Sequence, residues 1–251
     1  MWHVKPSAQT TWRRLLAELI GTALLVTVVV GSGIAAASLS PSDVGLQLLE
    51  NSTATTLGLA VLILVFGPVS GGHFNPVVSA VDWLLTRRSG NGLHPGGVAR
   101  YATAQLVGAI LGALLANIMF DLPAIQVSGT DRVSLGHGLG ELVATAGLVL
   151  LVFALARTGR AALSAAAVGA YIGAAYWFTS STSFANPAVT VGRIFSDTFA
   201  GVAPTSALFF IAAQVLGGLV GLGLVRFFFP DVPPTAGQAV VSHPNHISEE
   251  G

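Results

Sequence analysis

Six long apolar stretches constrain this chain more than any other feature, at about Leu15–Ala37, Gly45–Phe66, Val98–Phe120, Gly138–Ala156, Ala161–Phe178 and Thr205–Phe229. A helix needs roughly 20 mostly apolar residues to cross a bilayer, and each stretch is near that length. Charged residues make up only 9 % of the 251, where a soluble domain carries about 25 %. The expected fold class is therefore an all-α membrane protein with six transmembrane helices. Too little length remains for a second soluble domain. The expected division is a cytoplasmic N-terminal segment, 1–14, a membrane domain, 15–229, and a polar, mobile cytoplasmic tail, 230–251. The start, Met1 to Trp12, is polar without a signal-peptide core, so the first span is expected to stay as an anchor. A formal net charge of zero offers no basic field for nucleic acid. The chain has no cysteine, which excludes disulfides and thiolate metal sites.

The chain also repeats itself. Ala17-Glu18-Leu19-Ile20-Gly21-Thr22-Ala23 opens the first span, and Gly140-Glu141-Leu142-Val143-Ala144-Thr145-Ala146 opens the fourth. Ala104-Gln105-Leu106-Val107-Gly108 in the third span returns as Ala213-Gln214-Val215-Leu216-Gly217 in the sixth. Two apolar segments too short to span, Asn75–Leu84 and Asn186–Phe195, begin Asn75-Pro76-Val77 and Asn186-Pro187-Ala188. Landmarks recurring in one order mark a duplication, with half-repeats at about 15–120 and 138–229. Three spans per half, an odd number, require the halves to be inverted in the membrane. Inverted repeats with interrupted helices put a transport path at the repeat interface.

Asparagine is a favoured helix N-cap, and proline is tolerated at the first helical position. Each Asn-Pro is therefore expected to start a half-helix, with Gly71 and Gly72 loosening the chain before the first. Inversion brings the two starts together at mid-membrane. There Asn75 and Asn186 would cap with their oxygens and offer amide donors to a solute. The two helix dipoles, each about half a charge at its positive end, would repel a passing cation and spare a neutral solute.

Ser70-Gly71-Gly72-His73-Phe74-Asn75-Pro76-Val77 and Ser183-Phe184-Ala185-Asn186-Pro187-Ala188 resemble the paired signature loops of aquaporins and aquaglyceroporins. The resemblance covers about Leu15 to Phe229. It implies an aquaporin-like fold of six tilted helices and two re-entrant half-helices, and a homotetramer with one pore per subunit. It also implies a constriction at Asn75, Pro76, Val77, Asn186, Pro187 and Ala188, with Val77 where the family usually has alanine. Carried over by alignment, the family's selectivity ring falls on Thr55, Ala174, Ser183 and Val189. The first two positions rest on ungapped counting from the asparagines. Val189 stands where the family usually has arginine, so the ring is expected to be wide and neutral, narrowed by no Phe, Trp or His. The solutes expected are glycerol-sized polyols, urea or undissociated metalloid acids, with water. The run Phe178–Val189 with Asp197-Thr198-Phe199-Ala200-Gly201 resembles bacterial aquaporins associated with arsenic-resistance operons, which implies passage of arsenite or methylated arsenicals.

Glu18 and Glu141 inside apolar helices have two readings: proton coupling, or acceptance of backbone N–H groups from the re-entrant loop of their own half. Gln105 and Gln214 read as interior glue between helices. His73 reads as pore lining or as loop packing, and Arg193 as a basic mouth residue or a surface arginine. Gly108…Gly112, Gly169…Gly173 and Gly217…Gly221 are spacings that let helices approach closely. Asp121, Asp131, Arg132 and His137 are poorly spaced for a metal and read as an outer loop; Asp82 and Asp197 read as interfacial charges. Neither a cofactor nor a metal is expected, and nothing resembles a nucleophile–base set. If the N-terminus is cytoplasmic, that side carries Lys5, Arg13, Arg14, Arg87, Arg88, Arg100, Arg157, Arg160 and Arg226, and the outside only Arg132 and Arg193. The positive-inside rule then puts both termini on the cytoplasmic face of the inner (plasma) membrane. The rival readings are an ion-coupled transporter using Glu18 and Glu141, a strict water channel, and a membrane protein whose pore is closed.

Overall fold

The computed structural model describes residues 11–88 and 92–230. The expected tail from 231 onward, and the N-terminal segment up to residue 10, lie outside the described residues. Among the described residues, eight α-helices follow in order: α1 (Thr11–Leu39), α2 (Val44–Ser70), α3 (Pro76–Thr86), α4 (Pro95–Met119), α5 (Leu135–Arg157), α6 (Ser164–Phe178), α7 (Pro187–Arg193) and α8 (Pro204–Phe228). A 3₁₀ turn, Ala161–Leu163, leads into α6. Six elements among the described residues are long and apolar enough to cross a membrane: α1, α2, α4, α5, α8, and α6 together with its leading turn. The helices begin where backbone chemistry allows. Asp43 caps α2 by accepting from Leu46 N, and Ser134 caps α5 by accepting from His137 N. Pro95 and Pro204 open α4 and α8, at positions where a missing N–H costs nothing. The second span runs past the expected Phe66 to Ser70 and ends on Gly71, whose φ of 94° is the left-handed conformation glycine adopts without penalty.

The two halves repeat each other in their packing. α1 lies against α2 and α4, just as α5 lies against α6 and α8. α2 meets α6, and α3 meets α7, where the halves join. Glycines set the closest crossings. A Cβ on Gly108 or Gly112 of α4 would strike the backbone of α1 at Leu19 or Ala23. Gly217 and Gly221 of α8 stand in the same relation to Leu142 and Ala146 of α5. Outward faces carry exposed Leu57, Val61, Leu64, Val107, Leu111, Leu115, Leu216 and Leu219. Water would penalise such a surface, whereas lipid tails solvate it.

Candidate functional site

Each half builds its re-entrant loop on a buried carboxylate. Glu18, fully buried, accepts from His73 N (3.0 Å), Phe74 N (2.7 Å), Ser70 Oγ (2.6 Å) and Gln105 Nε2 (2.7 Å). Glu141, equally buried, accepts from Phe184 N and Ala185 N (both 2.8 Å) and Gln214 Nε2 (2.6 Å). The glutamines reach on to the half-helices, Gln105 to Ser79 Oγ and Gln214 to Thr190 Oγ1. Those hydroxyls in turn bond the carbonyls of Asn75 and Asn186, four residues back. Every buried N–H that a loop at this depth leaves over must find a partner. The carboxylate–glutamine–hydroxyl chain supplies that partner twice.

The backbone conformations match as well. Positive φ occurs at Gly71 (94°), Gly72 (61°) and Phe74 (48°), and at the corresponding Thr182 (61°), Ser183 (50°) and Ala185 (49°). Glycine takes the first two positions of one loop at little cost. Thr182 and Ser183 hold them in the other, where a β-branched residue at positive φ is a true outlier. Such strain is of order 1–3 kcal/mol per residue, and here the bonds to Glu141 and Ser181 hold the backbone in place.

The two half-helix starts meet directly. Asn75 Oδ1 caps α3 through Val77 N (3.0 Å), and its Nδ2 donates to Ala185 O of the other loop (2.8 Å). Asn186 Oδ1 caps α7 through Ala188 N (2.9 Å) and Val189 N (3.3 Å), and its Nδ2 donates to Phe74 O (2.8 Å). Each side-chain amide has two N–H groups, so this reciprocal pair uses one per asparagine and leaves one. Both asparagines line a single cavity. Its wall is apolar on the side of α1, α2, α5 and α6, with Val29, Leu59, Ile63, Leu148, Val152 and Ile172. Its polar stripe comes from the loops, through Gly72–Asn75 and Ser183–Asn186. Among the described residues no Asp or Glu lines it.

Several sequence-based expectations shift. Pro76, Val77, Pro187 and Ala188 do not line the cavity. The prolines occupy the first helical positions, and Val77 and Ala188 are buried in the core, with Val77 turned towards Gly218 of α8. A first-turn side chain beside its cap points back into the packing. Ala174 is not in the lining either; it is exposed on the opposite face of α6. Ile172 and Tyr176, four residues apart, face the cavity instead. Tyr176 OH lies 3.2 Å from Thr55 Oγ1, and Thr55, Ser183 and Val189 all line the space. Ser183 Oγ is buried without a hydrogen-bond partner among the described residues.

Beside the expected neutral ring residues Thr55, Ser183 and Val189, the same cavity holds a charged one. Arg193 is only 3 % exposed and lines the same cavity as Val189, one helical turn earlier. Its Nε donates to Ala200 O, and its guanidinium carbon sits 3.4 Å from the centroid of the Phe184 ring. The cavity is therefore lined by a cation and by four aromatic residues, His73, Phe74, Tyr176 and Phe184. Spacing of four on one helix was the available signal for Arg193; its inward direction was not legible. α7 has only seven residues, so its dipole is weaker than the sequence argument assumed, and the guanidinium is the larger positive charge.

His73 lines the cavity and bonds Ser79 through Nδ1 (3.0 Å). Its counterpart by position is Phe184. His73 stacks edge-on against Tyr101, and Phe184 against Phe210. The remaining charges serve loops. Asp82 accepts from Leu93 N, and Asp197 from Gly129 N. Asp131 accepts from the Ser206 hydroxyl at 2.6 Å, which holds its carboxyl below the ordinary range. Arg132 bonds the carbonyls of Gly201 and Phe199, and His137 Nδ1 lies 2.7 Å from Arg132 O.

The sequence model of the family described as Major intrinsic protein matches residues 5–184 and 164–250. An aquaglyceroporin, AqpS of Rhizobium meliloti (strain 1021), is 46 % identical over 225 residues, covering 88 % of this chain and 92 % of its own. Aquaporin Z of Photorhabdus laumondii is 30 % identical over 246 residues, covering 87 % and 98 %. Among solved structures, the aquaglyceroporin from Plasmodium falciparum shares the fold, with a TM-score of 0.64 at 20 % identity over 90 % of this chain and 99 % of that one. On the family match and the 46 % identity, the chain belongs to the major intrinsic protein family, whose members are channels and not enzymes.

Proposed function

We propose that this protein is a passive pore for small uncharged solutes, passing water and glycerol-sized polyols, with undissociated metalloid acids such as arsenous acid in the same size class. The observation that carries the reading is the reciprocal asparagine pair, Asn75 to Ala185 O and Asn186 to Phe74 O, beside one cavity. It leaves one amide N–H per asparagine beside that cavity, whose wall is largely apolar. A hydroxylic solute can exchange water for those donors and keep its carbon side against Leu and Val. The relative at 46 % identity bears the name aquaglyceroporin, which supports glycerol-type solutes. The coupled-transporter reading rests on Glu18 and Glu141, and both are absent from the cavity lining, with their oxygens accepting from the loops.

In this reading Thr55, Tyr176, Ser183, Val189 and Arg193 form the filter, with Arg193 as its fixed cation. The subunit is a homotetramer protomer with both termini cytoplasmic in the inner (plasma) membrane. The arginine distribution supports the orientation, and the exposed apolar faces suit lipid and subunit neighbours. Val189→Arg tests the filter. A second guanidinium beside Arg193 narrows the passage, so glycerol and arsenous acid fluxes should fall several-fold more than water flux in stopped-flow light scattering. Equal losses for all three would remove Val189 from the filter.

A further inference from the structure

The side of the membrane domain that carries most of the arginines has a second cavity. Arg87, Arg88, Arg157 and Arg226 line it, and among the described residues no acidic one does. The four come from three helix ends remote in sequence: just after α3, the last residue of α5, and the last turn of α8. We propose that this cavity is a binding site for a phosphate-bearing anion, with the headgroup of an anionic phospholipid as the ligand its depth suits. The site lies away from the pore cavity and stands whatever the pore conducts.

Two ordinary causes explain part of the cluster. Arginines collect on the cytoplasmic side of membrane proteins, and a helix C-terminus attracts a cation. Those causes cover one arginine at each helix end. They do not cover the second at α3, nor the gathering of all four on one concave surface. Arg226 Nη2 donates to Leu84 O at 3.1 Å and Arg157 Nη1 donates to Phe229 O, each using one of five N–H groups. The side chains of Arg87 and Arg88 are exposed and make no hydrogen bond or ion pair among the described residues. Four like charges around one space repel one another, and a phosphate between them turns that repulsion into attraction. Guanidinium groups suit the task because their paired N–H groups match phosphate oxygens. The cavity sits at the ends of α5 and α8, both long and apolar enough to cross a membrane, and of the shorter α3; basic pockets between such helix ends hold anionic lipid headgroups.

The test uses the full chain in detergent, titrated with phosphatidylglycerol or phosphatidylcholine and read by native mass spectrometry. The wild type should prefer phosphatidylglycerol, and Arg87→Gln/Arg88→Gln should lose that preference by about tenfold or more, since each surface arginine adds roughly a factor of five. These two residues hold no loop or helix, so solute flux should match the wild type and certify the fold. Inorganic phosphate distinguishes the sources. If it binds with the same loss in the double variant while the two lipids bind equally, the ligand is a soluble phosphate and the chemistry stands. A phosphatidylglycerol preference unchanged in the double variant overturns the site, as does binding of neither probe. A preference seen only after truncation beyond Pro230 also overturns it, because the chain's own Asp231, Glu249 and Glu250 would then be the occupants.

Discussion

Glu18→Ala should abolish solute flux and leave a protein that unfolds in detergent under conditions the wild type survives. Four donors converge on this carboxylate: His73 N, Phe74 N, Ser70 Oγ and Gln105 Nε2. A buried donor left without a partner costs about 1–3 kcal/mol. Four of them approach the whole stability of an ordinary domain, about 5–15 kcal/mol. The loop they hold also carries Asn75, so the pore fails with the fold. Glu18→Gln keeps one carbonyl oxygen as acceptor and should fall between the wild type and alanine in both melting temperature and flux. Its flux per folded protein should be indifferent to a proton gradient. A Gln variant that folds like the wild type but loses a gradient response would instead make Glu18 a coupling residue.

Arg193→Met should open the pore to small cations. Two unit charges 4 Å apart repel by about 4 kcal/mol at an effective dielectric near 20, which is about a thousandfold in rate. Removing the guanidinium should therefore raise potassium conductance in planar bilayers by roughly two to three orders of magnitude. Glycerol flux should rise relative to water, because the filter loses its bulkiest polar group. Arg193 also bonds Ala200 O and packs on Phe184, so a structural role needs separating. Arg193→Lys keeps the charge and loses the planar stacking. If the filter reading holds, lysine still blocks cations while methionine leaks; equal leakage would make Arg193 a clasp for the 198–201 turn.

Much of this was legible in the sequence because the bilayer leaves few options. Apolar runs near 20 residues with at most one charge each read as spans, and a duplicated Asn-Pro reads as a pair of capped starts. The matched places of Glu18 and Glu141 pointed to one shared job but left proton coupling and loop support both open, and the bonds from His73, Phe74, Phe184 and Ala185 N–H groups favour loop support. What stayed hidden depended on rotation about a helix axis. Counting without gaps put Ala174 in the filter, but the lumen is met by Tyr176, and two residues turn a helix by about 200°. The same limit hid the inward turn of Arg193, whose spacing from Val189 was plain but whose direction was set by Ala200 and Phe184 on other segments. Gly71 and Gly72 announced the first loop's left-handed backbone. Thr182 and Ser183 concealed the second, because the bonds that enforce it come from Glu141 and Ser181. The reciprocal asparagine bonds could not be read from either half alone.

Initial glycerol flux into proteoliposomes, followed against external glycerol at constant osmolarity with and without an imposed proton gradient, tests the pore most directly. A rate that rises linearly with glycerol and ignores the gradient is the expected result. A rate that saturates in the millimolar range, or that follows the gradient, would contradict a passive path between Asn75 and Asn186.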